Sequence, residues 1–75
     1  VIERIISLKE EFGYSYWEVD TNSGICRFTV HNRHNPVLPL EGRRILITDV
    51  DGNRFEIEDY TRTEAKHLRI IETML

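Results

Sequence analysis

The sequence predicts an α+β domain: about five antiparallel strands in two hairpins plus an N-terminal strand, with one C-terminal helix packed on the sheet. Three observations predict it. Nine Ile, five Val and six Thr against a single Ala make over a quarter of the 75 residues β-branched, and such side chains suit a pleated surface better than a helix. Two turn clusters, Thr21-Asn22-Ser23-Gly24 and Asp51-Gly52, each divide a pair of alternating stretches, as hairpins require. Helical spacing replaces strand alternation only after Thr61.

Val1–Lys9 reads as the first strand, with Ile2, Ile6 and Leu8 on one face and Val1 and Ile5 on the other. Phe12-Gly13 ends it, Gly13 being free to take a positive φ. In Tyr14–Thr21 the positions Tyr14, Tyr16 and Glu18 alternate against Ser15, Trp17 and Val19. Ile25–Val30 returns with Cys26, Phe28 and Val30 on one face, so Trp17, Val19, Cys26 and Phe28 should build half the core. His31–Gly42 contains both prolines, Pro36 and Pro39, and no alternation, which predicts a long loop pinned by Val37, Leu38 and Leu40. Arg43–Val50 and Arg54–Glu58 form the second hairpin around Asp51-Gly52, with Phe55 and Ile57 inward. Thr61-Arg62-Thr63-Glu64 fits a capping box. The helix that follows places Ala65, Leu68, Ile71 (with Ile70 beside it) and Leu75 on its apolar side, with Met74 adjoining, and His67 with Arg62, Lys66, Arg69 and Glu72 on its polar side.

A chain of 75 residues is one domain with little interior left for a ligand cavity once its core is filled. The net charge of −3 argues against a general nucleic-acid binder. The longest apolar run, Ile45-Leu46-Ile47, is far short of a membrane span, so no membrane insertion is expected. No basic n-region followed by an apolar stretch opens the sequence, so no signal peptide is expected in it. Cys26, the only cysteine, excludes an internal disulfide and reads as a small strand hydrophobe. These features suit a cytoplasmic protein. The absence of an initiator Met suits a segment of a longer one.

Few residues suggest chemistry. Asp49-Val50-Asp51-Gly52-Asn53 resembles the start of a calcium loop, but Arg54 stands where Gly is needed and Tyr60 where a bidentate Glu is needed. A hairpin turn explains it. His31 and His34 lack a third ligand nearby for zinc. With Arg27, Arg33, Arg43 and Arg44 they make the one candidate anion or ligand patch, the alternative being arginines paired with scattered carboxylates. Tyr14 and Tyr16 form a small aromatic surface suited to cross-strand pairing. No nucleophile elbow, phosphate-cradling loop or HExxH is present. The expectation is therefore no enzyme, no catalytic residue, no cofactor and no metal. At this size self-association, through a sheet edge or the Ile70–Met74 shoulder, is a further way to gain stability.

Two stretches resemble a known family. Trp17-Glu18-Val19-Asp20-Thr21, Gly24 and Arg27-Phe28 are similar to its W-E-V-x-T-x-x-G-x-x-R-F stretch. Leu46-Ile47-Thr48-Asp49, Asp51-Gly52, Arg54, Ile57 and Asp59 are similar to L-I-x-D-x-D-G-x-x-x-x-I-x-D, and Ile2, Arg4-Ile5 and Ser7 fit its opening strand. This is the domain of unknown function 1854 family. Its members include the C-terminal segment of some ABC transporter ATPase proteins and small proteins associated with cyanophycin metabolism. The resemblance implies a cytosolic accessory or binding module, with an ABC transporter ATPase or the chain's own N-terminal region as partner. Because stand-alone members carry an additional N-terminal half, it also implies that residues 1–75 are the C-terminal portion of a longer protein. It brings no catalytic residues with it.

Overall fold

The computed structural model describes residues 1–75 apart from the side chain of His34. In chain order the elements are β1 (Ile2–Glu11), β2 (Tyr14–Thr21), β3 (Gly24–His31), β4 (Val37–Pro39), β5 (Ile45–Thr48), β6 (Arg54–Ile57) and the helix α1 (Ala65–Met74). Short 3-10 turns occupy Asn32–His34 and Tyr60–Arg62. Among the described residues no helix is long and apolar enough to cross a membrane.

The strands form one six-stranded sheet in the order β3-β2-β1-β6-β5-β4. The α+β class stands, but five antiparallel strands do not: the sheet is mixed and has six. The two halves join where β1 runs parallel to β6, with Ile2 opposite Ile57. Turn residues announce hairpins between strands that are close in sequence; nothing local announces a parallel contact between the first strand and the last. The additional strand lies inside the expected loop. Val37, Leu38 and Pro39 pair with Ile47, Leu46 and Ile45. The ladder to β5 is made by the Pro36 carbonyl, which accepts from Thr48, and by the Leu40 N–H, which donates to Arg44. The backbones of Val37 and Pro39 therefore face outward, where the missing N–H of Pro39 costs the sheet nothing and blunts its edge.

Strand β1 also departs from simple alternation. Its buried residues are Ile2, Ile5 and Leu8, with Ile6 only half-buried, so Ile5 and not Ile6 faces the core. Register shifts between Ile2 and Arg4 and between Ile5 and Ser7 supply the reason. Each bulge adds one residue and reverses the side-chain parity, and each sharpens the local twist. The curvature has a visible result. Phe28 on β3 stacks on Phe55 of β6 with ring centroids 4.0 Å apart, although β2 and β1 lie between those strands. In a flat sheet that separation would be ~14 Å. The sheet is thus curled, and the Val50 N–H, donating to the Thr29 carbonyl at 2.9 Å, ties the far hairpin to β3.

Inside the curl lie Trp17, Val19, Phe28 and Val30 from the first hairpin, Ile45, Ile47 and Ile57 from the second, Val37 from β4 and Ile71 from α1. Trp17 stacks on Phe28, directly across the β2–β3 register. The helix meets this core with Ile71 and His67 buried and Ile70 and Met74 packed against it. Ile71, with Ile70 and Met74 beside it, faces the core as expected, but Ala65 and Leu75 are exposed and His67 lies within the stripe rather than on the polar side. The capping box does not form either. Thr61 gives its hydroxyl and backbone N–H to Asp59, capping the Tyr60–Arg62 turn, and α1 starts only after Glu64.

Candidate functional site

The β1–β2 turn is built from Phe12 and Gly13, both with positive φ, 52° and 81°. Positive φ at both central residues gives the turn twist that matches a hairpin. Gly13 adopts it freely, whereas a side chain there costs ~1–2 kcal/mol. Phe12 is 90% exposed, so no packing inside the domain offsets that cost. The turn is also braced. Asn32 donates its backbone N–H to the Gly13 carbonyl at 2.9 Å and its side-chain N–H to Glu10 at 2.9 Å, and its side-chain oxygen accepts from the Ser15 hydroxyl.

Beside this turn the two hairpins leave a cleft of 610 Å³, with Tyr14 and His31 on one wall and Pro36, Asp49 and Val50 on the other. Tyr14 and His31 are opposite each other in the β2–β3 register, their rings 4.7 Å apart. Val50 is held with its side chain exposed, since its N–H is fixed to Thr29. Asp49 is buried and its carboxylate accepts from the Asp51 and Asn53 backbones and the Asn53 side chain at 2.8–3.1 Å. Those bonds hold the turn and fill its lone pairs, which accounts for the residues that resemble a calcium loop. The cleft and Phe12 therefore bring an exposed ring, Tyr14, His31 and Val50 to one end of the sheet, with Asn35, Thr48 and Asp49 as polar neighbours, and aromatic side chains of this kind serve as anchors in protein contacts.

Three arginines of the expected patch each approach a carboxylate. Arg27 on β3 pairs with Glu18 of β2 at 2.8 Å. Arg44, before β5, pairs with Glu56 of β6 at 2.7 Å, a bond that holds the Glu56 carboxyl below its ordinary range and raises the guanidinium. Arg43 approaches Asp59 at 3.7 Å. The Asp59 carboxyl is itself held low, first by its bond from the Thr61 hydroxyl and then by the Thr61 backbone N–H and Arg43. Arg33 lies over Gly13, its Nε 3.5 Å from where a Cβ would stand. His31 stands with Tyr14, and the His34 side chain lies outside the described residues. None of these ion pairs joins one group of arginines to another.

Phe12 and Val50 were not foreseeable as surface anchors from apolarity alone. The available signal was chemical: Phe-Gly stands at a two-residue turn where Asn-Gly or Asp-Gly would be strain-free.

No curated protein and no solved structure matches the chain. A family model does match, over residues 1–74, and it covers the whole sheet and all of α1. The chain belongs to the DUF1854 family, a domain of unknown function.

Proposed function

We propose that this domain is a non-enzymatic, cytoplasmic accessory module that binds a partner protein through Phe12 and the adjoining Tyr14–His31–Val50 cleft. The observation that carries the reading is Phe12, a large apolar ring 90% exposed on a backbone with φ 52°. A residue that is strained and unburied in the free domain is explained by burial elsewhere. The bracing by Asn32 supports it, because an anchor held rigid loses less entropy on binding. The resemblance to transporter-linked members suggests the partner: the ATPase of an ABC transporter, to which the domain is appended or recruited. Self-association through Ile70 and Met74 is less favoured, since both pack against the core.

The test is calorimetric titration of the purified domain against the purified transporter ATPase from the same genome, with Phe12→Asn alongside. The variant keeps the turn and removes the ring. Binding by the native chain and a loss of at least about tenfold in the variant is the expected outcome, as for a buried aromatic anchor. Equal binding by both would remove Phe12 from the site, and no binding by either would remove the transporter ATPase as partner.

A further inference from the structure

The two edges of the sheet are not alike. The β4 edge is three residues long and ends in Pro39, whereas β3 runs for eight residues and pairs as a strand only with β2. The register leaves a definite part of the β3 edge open. Thr21 and Gly24 flank a two-residue turn, so they exchange both backbone bonds, as do Val19 with Cys26 and Trp17 with Phe28. Ile25, Arg27 and Thr29 alternate with these and turn their N–H and C=O groups away from β2. The Thr29 carbonyl is taken by the Val50 N–H, which closes the edge there. Among the described residues no backbone bond reaches the outer groups of Ile25 or Arg27, and the space around Gly24 is open. The free stretch is therefore Gly24–Phe28, with Cys26 at its centre.

Devices that keep an edge strand from pairing are missing on this stretch. It has no proline and no lysine, and Ile25 is 62% exposed. Its one charge, Arg27, is drawn back over β2 by Glu18, which accepts from the guanidinium at 2.8 and 3.1 Å. We propose that β3 pairs antiparallel with β3 of a second copy about a two-fold axis at Cys26, joining two six-stranded sheets into one. Ile25 then faces the partner's Arg27, each such pair exchanges both backbone bonds, and no outward group of the stretch is left over. Neighbouring two-fold registers fail. Centring on Arg27 sets arginine against arginine and Ile25 against Thr29, whose carbonyl is already bonded. Centring on Ile25 leaves Arg27 opposite Ser23, a turn residue.

Charge favours a second copy as the occupant. Asp20 lies opposite Ile25 on β2, on the same outer face, and belongs to no ion pair among the described residues. Pairing makes one row of Asp20, Ile25, the partner's Arg27 and the partner's Glu18. Each guanidinium then stands between Glu18 of its own copy and Asp20 of the other, its apolar stem lying over Ile25. The two-fold axis makes that row twice, as an isologous interface requires.

The same register sets Cys26 against Cys26 in a non-hydrogen-bonded pair, with Cα atoms ~4.5 Å apart, a separation that a disulfide spans. The only thiol of the chain thereby reports the contact. The experiment is sedimentation velocity of the chain from micromolar to millimolar concentration under reducing conditions. Oxidation with diamide follows, the reagent taking up the two thiol hydrogens as the disulfide forms. Mass that doubles with concentration and a Cys26–Cys26 cross-link are the expected results, and Cys26→Ser should keep the dimer while losing the cross-link. Ile25→Lys, at an exposed position, sets Lys against the partner's Arg27 and should weaken the dimer by about tenfold or more, with an unchanged circular dichroism spectrum. A monomer at every concentration would overturn the proposal, as would a dimer that survives Ile25→Lys or that diamide leaves uncross-linked. Phe12→Asn should leave the dimer intact, because the Phe12 turn lies at the other end of β2. Loss of the dimer in that variant would put the contact at Phe12 and overturn the proposal too.

Discussion

The indole N–H of Trp17 donates to the hydroxyl of Ser15 at 2.9 Å, and both side chains are buried. The same hydroxyl donates onward to the Asn32 side chain, whose N–H holds Glu10. One small residue therefore satisfies the core indole and links it to the brace of the Phe12 turn. It also lies 4.0 Å from the Met74 sulfur, at the end of α1.

Ser15→Ala removes that link and leaves the indole N–H buried without an acceptor. An unsatisfied buried donor costs ~1–3 kcal/mol. Urea unfolding should show a loss in that range with an unchanged slope. Proton exchange at the Asn32 amide should quicken beyond what global destabilisation explains, because the Gly13 brace loosens with it. A loss no larger than that of an exposed Ser→Ala control would mean the bond contributes nothing.

Phe12→Asn should act in the opposite direction. Asn accepts positive φ far more readily than Phe, so most of the ~1–2 kcal/mol strain is relieved. In a domain of this size ~1 kcal/mol moves Tm by ~4–8 °C, and a thermal melt should show a rise of that order. Gain of stability with loss of partner binding is the signature of a residue kept for contact. A melting temperature that stays level or falls would show that Phe12 stabilises the domain after all.

What could be read from residue order follows a physical division. Hairpins at Asn22-Ser23 and Asp51-Gly52, the inward faces of β2 and β3, and the α+β class all rest on interactions between near neighbours. The misreadings concern distant partners. Bulges in β1 reverse parity only because β2 is paired alongside. The edge strand at Val37–Pro39 forms only because β5 offers a ladder, and His67 is buried only because the curled sheet reaches it. Residue order also did not show which carboxylates the arginines would meet: Arg27, Arg43 and Arg44 each approach one on the neighbouring strand or just beyond it.

Acid should weaken the second hairpin through Glu56 and Asp59. Both carboxyls are held below their ordinary range, so each contributes stability that is fully present above the unfolded value, about 4. That contribution is lost as pH falls through the lower, folded value. Urea midpoints should therefore fall between neutral pH and about pH 3, and less steeply in Glu56→Gln than in the native chain. Both groups are near the surface, so added salt should shrink the difference. Identical slopes in the two proteins would remove the Arg44–Glu56 bond from the account.

His67→Leu tests what the buried imidazole costs the core. In the free domain the Nδ1 atom is buried and bonded to nothing, and His67 shares its stripe with Ile71 in a helix that otherwise packs by apolar contact. Replacing a buried unsatisfied group by an apolar one of similar bulk recovers the desolvation cost, ~1–3 kcal/mol. A similar volume limits repacking losses. Urea unfolding should show the His67→Leu variant more stable than the native protein by about 1 kcal/mol. Destabilisation would mean that the imidazole is satisfied in solution.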